Sequence, residues 1–461
     1  MNKISLTVKD FRNISGSVLL NFDLFKNATS VTIDSRNVKR GSLFIAIKGK
    51  NFDGHDFVKD IVKLGAAAVL IQKNRIKKFQ DLEIPIVAVN DTLAGLGEVA
   101  RIWRKKLKAK IIGITGSNGK TSTKEMISTL LGERFNVNKS VGNNNNHIGV
   151  PLTIFNTKMQ HDFLVLEMGT NHFGEIEYLS KIAEPDYALI TNIGDSHLEF
   201  LKNRKGVLKE KSALFRVTSK KNGFLFINND DPLLKNSFDD YKNRITFGFN
   251  SSSNVNGELI GFTKDGKSKL AIKHGNSKFI VNVPFAGLQN ANNFLASAAV
   301  GLEFGLTKSQ IISAAKKVKN VNKRLNIRKI KDFVLIDDTY NANPESTKLA
   351  IDLTSKFDGC KNRVLILGDM FELGKQERKL HEGLLSSVKK NKSTHIFTIG
   401  KRMKYLSDKL SNTKIPNKHF SSRKRLKDYI QKFDFSNSVI LVKGSRGMKM
   451  EEFVNAILEK N

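Results

Sequence analysis

The string TGSNGKTS (115–122) puts two glycines, a lysine and several hydroxyls where a strand-like run, KIIGITG (110–116), gives way to a helical one, KTSTKEMISTLLGERF (120–135). That order suits a phosphate. Glycines let the backbone curl until successive N–H groups face one point, and the helix behind them adds roughly half a positive charge at its first turn. Lys120 would neutralise the outer phosphates of ATP, and the Thr121 hydroxyl would reach magnesium. The loop is not the strict Walker pattern, because Ile114 stands where that pattern has its first glycine. It is the shorter form running from Gly116 through Gly119 to Thr121. Thr115, Gly116, Ser117, Asn118, Gly119, Lys120, Thr121 and Ser122 are the candidate nucleotide contacts.

Glu167 closes the strand-like FLVLE, and His197 follows DYALITN within GDSHLEF. Singly, a strand-end carboxylate is usually solvated and a lone histidine usually structural. Their shared location is what singles them out, since both fall where an α/β sheet places its ligands. A carboxylate together with substrate phosphates suits Mg²⁺. Lys211, in GVLKEKSALF, reads from spacing alone as part of a solvated helix face. A third cluster, LIDDTYNANPES (335–346), ends a buried strand in two carboxylates and turns through Asn341, Asn343 and Pro344. Turn chemistry accounts for the asparagines and the proline. It is silent on Asp337 and Asp338. The glycine loops LGDMFELG (367–374) and VKGSRGM (442–448) are weak alone.

Alternating strand and helix patterns would position these residues. Residues 1–107 read as a small α/β unit with strands VTIDSR (31–36) and SLFIAIKG (42–49), a helix, and GAAAVLI (65–71). Residues 101–110 form a basic, helical-looking joint. Residues 108–325 read as a P-loop-like domain with a mostly parallel sheet built from 110–116, 163–169, 186–194 and 223–230. Residues 326–461 read as a Rossmann-like doubly wound domain with strands at 333–338, 362–369, 394–400 and 438–445. The fold class is α/β in three domains, and 461 residues exceed what one core serves.

Composition narrows the classes further. One cysteine, Cys360, excludes an intrachain disulfide framework. Neither a signal-type segment nor an apolar run of about 18 residues occurs, so a soluble cytoplasmic protein without membrane insertion is expected. Seventy-seven Lys and Arg against 44 Asp and Glu give a net charge of +33. That balance invites a nucleic-acid-stimulated ATPase. The basic residues are spread in twos and threes, however, and no recognition helix, stacking platform or zinc pattern accompanies them, so nucleic acid is not expected as a partner.

With these motifs in hand, the sequence resembles the Mur ligases, the ATP-dependent enzymes that build the peptide stem of peptidoglycan. The likeness runs essentially the full chain. TGSNGKTS looks like the family's phosphate loop. EMGTNHFGEI (167–176), NIGDSHLEF (192–200) and the second lysine of KEKSALF (209–215) resemble its magnesium-binding elements. The resemblance implies two Mg²⁺ sites, with Thr121 and Glu167 on one ion, and His197 and a carbamylated Lys211 on the other. FAGLQNANNFLASAAVG (285–301) resembles the adenine-side element G-x-H-N-x-x-N, with Gln289 in place of the histidine and Asn290 and Asn293 in register. Arg324 matches the interdomain arginine and Asp338 the nucleotide-holding carboxylate of the third domain.

DDTYNANPES is similar to the signature of the last ligase of the series, which joins D-alanyl-D-alanine to UDP-N-acetylmuramoyl-tripeptide. NNNNHIGVPLT (143–153), LGDMFELG and LVKGSRGMKMEE (441–452) point the same way. So do DSR (34–36) and NFDGHDF (51–57), in the domain where the family binds the UDP end. Ser35, Arg36, Asn144, Asn145, Asn341 and Asn343 are the implied substrate contacts. The resemblance further implies an acyl-phosphate intermediate, a monomer, and a role in cell-wall biogenesis and through it in cell shape and division.

Overall fold

Three sheets, each with its own helices, make up the computed structural model, which describes residues 4–263, 267–357 and 359–460. The first sheet has five strands. Ser42–Ile45 and Ile86–Val89 are wholly buried and flank Ala68–Gln72 in parallel. Such continuous apolar runs are what a sheet covered on both faces requires. Ser30–Thr32 adds a parallel edge and Val18–Leu20 an antiparallel one. The expected strand 31–36 stops at Thr32 because Asp34 turns the chain, accepting from the Arg36 N–H at 3.0 Å.

The expected helical joint at 101–110 is the end of a longer helix. Asp91 caps Thr92–Lys106 by accepting from the Leu93 N–H, and Arg104, Lys105 and Lys106 face the negative end of its dipole. Lys110 already belongs to the next strand. Arg104 is buried, donating to the Ala183 carbonyl at 2.9 Å and pairing with Asp186 at 2.7 Å. The core confirms this stiff connection. Leu43, Val87 and Trp103 of the first domain share one apolar cluster with Ile111, Leu164 and Ile190 of the second.

The central sheet has nine strands. From one edge the order is Val137–Lys139, Phe163–Glu167, Lys110–Thr115, Tyr187–Ile190, Phe224–Asn228, Arg244–Gly248 and Val255–Phe262, all parallel. Lys267–His274 and Ser277–Ala286 complete it as an antiparallel ribbon. The sequence reading gave no strand to 255–286. Its strands mix polar and apolar residues, as in KSKLAIKH and SKFIVNV, and exposed and buried positions alternate along the start of Ser277–Ala286, the period-2 mark of a half-exposed ribbon, distinct from the solid apolar runs of the parallel strands.

The third sheet runs Asn326–Ile330, Phe333–Asp338, Ser438–Lys443, Asn362–Gly368, His395–Ile399 and Asn417–Phe420, parallel except for the first hairpin. Its two faces carry separate cores, and from the central sheet these take in only Ala286 among described buried residues. Leu380 of the third domain also packs against the first cluster, and several polar contacts join the two domains. Arg204 grips Asp195 with two 2.8 Å bonds and pairs with Glu345 of the third domain. Asn343 donates to Asn118 at 2.7 Å, and Lys323 pairs with Glu451 at 2.8 Å.

Within NFDGHDF, His55 is a structural residue. It is buried, its Nδ1 lies 2.6 Å from Asp53, and its Nε2 accepts from the Gln72 N–H at 3.0 Å. His55→Ala leaves the Gln72 N–H without its partner, removes one of the bonds on Asp53 and opens a cavity. We expect a loss of about 2–4 kcal/mol, read in urea as an earlier first unfolding transition by the fluorescence of Trp103, the chain's one tryptophan. An unmoved transition would show that the buried ring carries no load.

Candidate nucleotide and ligation site

The parallel strands of the central sheet end on a cavity of about 520 Å³ that the third domain closes from the other side. Gly116 and Gly119 shape its floor, at φ +149° and +82°. A Cβ on either would collide, with Thr191 at Gly116 and with Asn293 at Gly119. Both positions therefore need glycine. Helix Lys120–Leu131 starts at that turn with its first N–H groups directed to the cavity mouth. Lys120 Nζ folds back onto the Gly116 carbonyl at 2.8 Å. Burial lowers its pKa, with Glu167 opposing and Arg324 reinforcing the shift. A cation kept short of solvent in this way binds a polyanion strongly.

Glu167 is buried at its strand end. Asn145 donates to its Oε1 at 2.9 Å, and the Lys124 ammonium stands 3.8 Å from Oε2. Lys124 was not singled out in the sequence, yet it is fully buried and also donates to the Gly142 carbonyl at 3.1 Å. It follows Lys120 by one helical turn and so shares its face. Glu210 was missed as well. It accepts from the N–H groups of Gly174 and Ile176 at 2.7 and 2.8 Å, tying the loop after Glu167 to helix Arg204–Lys211.

Lys211 departs most from a reading by spacing alone. It is fully buried, not on a solvated face. Its Nζ has no hydrogen-bond partner, and burial, helped by the charge of Lys120, drives its pKa well below the lysine value. His197 caps helix Leu198–Leu201 in left-handed backbone, φ +53°. Its pKa is lowered by burial, while Glu372 opposes. Glu372 Oε2 stands 2.6 Å from Nδ1 but off the line of a hydrogen bond.

The remaining candidates divide. Asn290 and Asn293 line the cavity, with Asn290 donating to the Ala286 carbonyl at 2.9 Å and Gln289 to Asn293 Oδ1 at 3.1 Å. Arg324 lies over the Tyr340 ring at 3.9 Å, its Nε unpartnered. Asp338 is held by Lys443 and by the Leu325 N–H at 3.1 Å, and Lys443 is thus another residue the sequence reading missed. Asn341 accepts from the Ala342 N–H, and Asn343 caps the helix that Pro344 opens. Asp337 takes the Thr339 hydroxyl at 2.7 Å and serves its own turn. Asn143, Asn145 and Asn146 line the cavity, whereas Asn144 does not. Ser35 and Arg36 lie outside that lining as well. Arg36 is spread on Asp34, whose carboxyl the guanidinium holds down at about 2.

Glu167 Oε2, His197 Nδ1 and Arg324 Nε, on residues that line the cavity, are buried without a hydrogen-bond partner, as are Thr121 Oγ1 and Lys211 Nζ outside its lining. Such atoms cost about 1–3 kcal/mol each, and the three on residues that line the cavity suit a charged ligand. Among the described residues no cage of three or more His, Cys, Asp and Glu converges. Magnesium needs none, since it takes one or two protein carboxylates and completes its shell with phosphates and water.

Comparison with known proteins accords with this geometry. Residues 27–104 match the Mur ligase family catalytic domain, 114–301 the Mur ligase middle domain, and 323–446 the Mur ligase glutamate ligase domain. The UDP-N-acetylmuramoyl-tripeptide–D-alanyl-D-alanine ligase of Bacillus subtilis is 34% identical over 99% of both chains. That of Escherichia coli is 32% identical over 99% of both. Among solved structures, MurF from Acinetobacter baumannii superposes with a TM-score of 0.88 over the whole of both chains at 28% identity. MurF ligase from Thermotoga maritima in complex with ADP gives 0.82 over 94% of this chain and 97% of that one, also at 28%. Full-length likeness in sequence and in architecture makes this chain a member of the Mur ligase family.

Proposed function

We propose that the protein joins D-alanyl-D-alanine to UDP-N-acetylmuramoyl-tripeptide at the expense of ATP, a step of peptidoglycan precursor synthesis. The observation that carries this is the cavity between the phosphate loop and the DDTYNANPES turn, on whose lining Glu167, His197 and Arg324 each keep a buried polar atom without a hydrogen-bond partner. The names of the full-length relatives supply the substrate class.

The γ-phosphoryl group of ATP passes to the terminal carboxylate of the tripeptide, releasing ADP. The dipeptide amine attacks the acyl phosphate, and phosphate leaves from the tetrahedral intermediate as the amine loses its proton. Carboxylate and phosphate repel, so charge neutralisation and positioning dominate. Lys120 turns from the Gly116 carbonyl to the phosphates. Asn293 borders the loop from the adenine side, while Arg324 and Asp338 approach from the third domain. Two magnesium ions would be held by Thr121 with Glu167 and by His197 with Lys211, and would offset phosphate charge. Lys211 fits that task as a carbamate. Its buried amine, whose proton burial loosens, adds to CO₂ once deprotonated, forming an N–C bond and losing a further proton, which creates the oxygen ligand a lysine lacks. Docking of the third domain shields the acyl phosphate from water.

The test is phosphate release from ATP with UDP-N-acetylmuramoyl-tripeptide, with and without D-alanyl-D-alanine, product mass being read in parallel. Release that needs both, with a product heavier by one dehydrated dipeptide, is the expected result. Release indifferent to both substrates but raised by DNA or RNA would overturn the reading.

A further inference from the structure

LGDMFELG (367–374) has no task in the site as described so far. Its first half stays inside the third domain, where Asp369 Oδ1 accepts from the Met403 N–H at 2.7 Å. Its second half crosses to the central domain. The Glu372 carbonyl accepts from the Glu199 N–H at 3.0 Å. Gly374 lies so close that a Cβ there would stand 3.0 Å from the Glu199 Cα. This docking brings the Glu372 carboxylate to within 2.6 Å of His197 Nδ1.

Both residues hold left-handed backbone, Glu372 at φ +63° and His197 at +53°. Non-glycine residues rarely settle there, and they persist only where their surroundings impose it. Two turns, one from each domain, are thus held in disfavoured conformations with their side chains in contact. Glu372 also borders the cavity, in the field of His172, while Lys120 and Lys211 act on His197.

We propose that Glu372 is a positioning residue for His197, carried in by the third domain, so that the imidazole is fixed for its ion only when the domains are docked. The proposal rests on reading His197 as a metal ligand. A ligating histidine relies on a fixed partner for its other face, and loss of such a partner costs about 10–100-fold in metal affinity or activity. Glu372 supplies that partner across a domain boundary, which couples the centre to docking.

The test uses Mn²⁺ binding to the full-length protein with ADP, followed by electron paramagnetic resonance, in Glu372→Ala, Glu372→Gln and His197→Ala. Glu372→Ala is expected to weaken Mn²⁺ binding about tenfold or more, as His197→Ala does, with Glu372→Gln in between. KM for the UDP-linked substrate stays unchanged in the Glu372 variants. If Glu372→Ala binds Mn²⁺ like the parent while His197→Ala does not, Glu372 is merely an interdomain contact and the proposal fails. If His197→Ala also binds like the parent, the ligand reading of His197 falls first and takes the proposal with it.

Discussion

Lys120→Ala is expected to slow turnover about 10³-fold, with the far-ultraviolet spectrum and the unfolding midpoint staying those of the parent. The size follows from the site's polarity. Removing one preorganised partner of a developing charge costs about 10²–10³ in rate, and Lys120 stands in a place where burial has already weakened solvent's hold on its charge. The fold is spared because the side chain's own bond is only to the Gly116 carbonyl, on the loop it belongs to. The loop keeps its shape through Gly116, Gly119 and the bond from the Asn118 N–H to Asn192 Oδ1 at 3.0 Å. Single-turnover kinetics at saturating ATP decide the matter. Near-normal turnover in Lys120→Ala would remove the phosphate-loop assignment.

A second large effect is expected at Lys211. Replacement by alanine lowers activity on the order of 10²-fold, and added formate or acetate restores part of it by placing a free carboxylate in the space the side chain leaves. Burial, and secondarily the charge of Lys120, put the lysine pKa well below 10.5, with Glu210 opposing. The sign follows directly. The unfolded chain keeps this proton up to about pH 10.4, whereas the folded chain has surrendered it earlier. Between the two values the unfolded state binds more protons, so an unmodified Lys211 costs stability there, and the cost shrinks as pH rises. Lys211→Met, which removes the amine, should therefore unfold at a higher temperature than the carbamate-free parent although it turns over poorly. Neither rescue by carboxylic acids nor a stability gain would leave Lys211 without the carbamate role.

Most of the architecture was legible because the parallel strands announce themselves as solid apolar runs, as in FLVLE and SVILVK, each ending in the residue that faces the cavity. The ribbon at 255–286 escaped because polar residues interrupt its apolar ones and its periodicity is the weaker signal. At the site, TGSNGKTS was self-explanatory from local spacing alone. Lys211 was not: burial is a property of tertiary packing, and a lysine in KEKSALF gives no local hint that every neighbour will be another element. Lys124, Glu210 and Lys443 escaped for the same reason. Each acts on a partner 43, 36 and 105 positions away, respectively Glu167, Gly174 and Asp338, and no window along the sequence spans that distance.

The first and second domains are fused by one oily interior, whereas the second and third touch through Arg204 with Glu345, Asn118 with Asn343, and Lys323 with Glu451. Contacts of the latter kind hold weakly and are worth about 0–1 kcal/mol apiece where exposed. They also answer to the medium, because charges in water feel each other over only about 8 Å at physiological ionic strength. The first two domains therefore form one block, and the third is fastened to it largely by polar bonds, of which salt loosens the charged ones. Such a fastening can open and close once per turnover, and ionic strength becomes a dial on how long it stays shut.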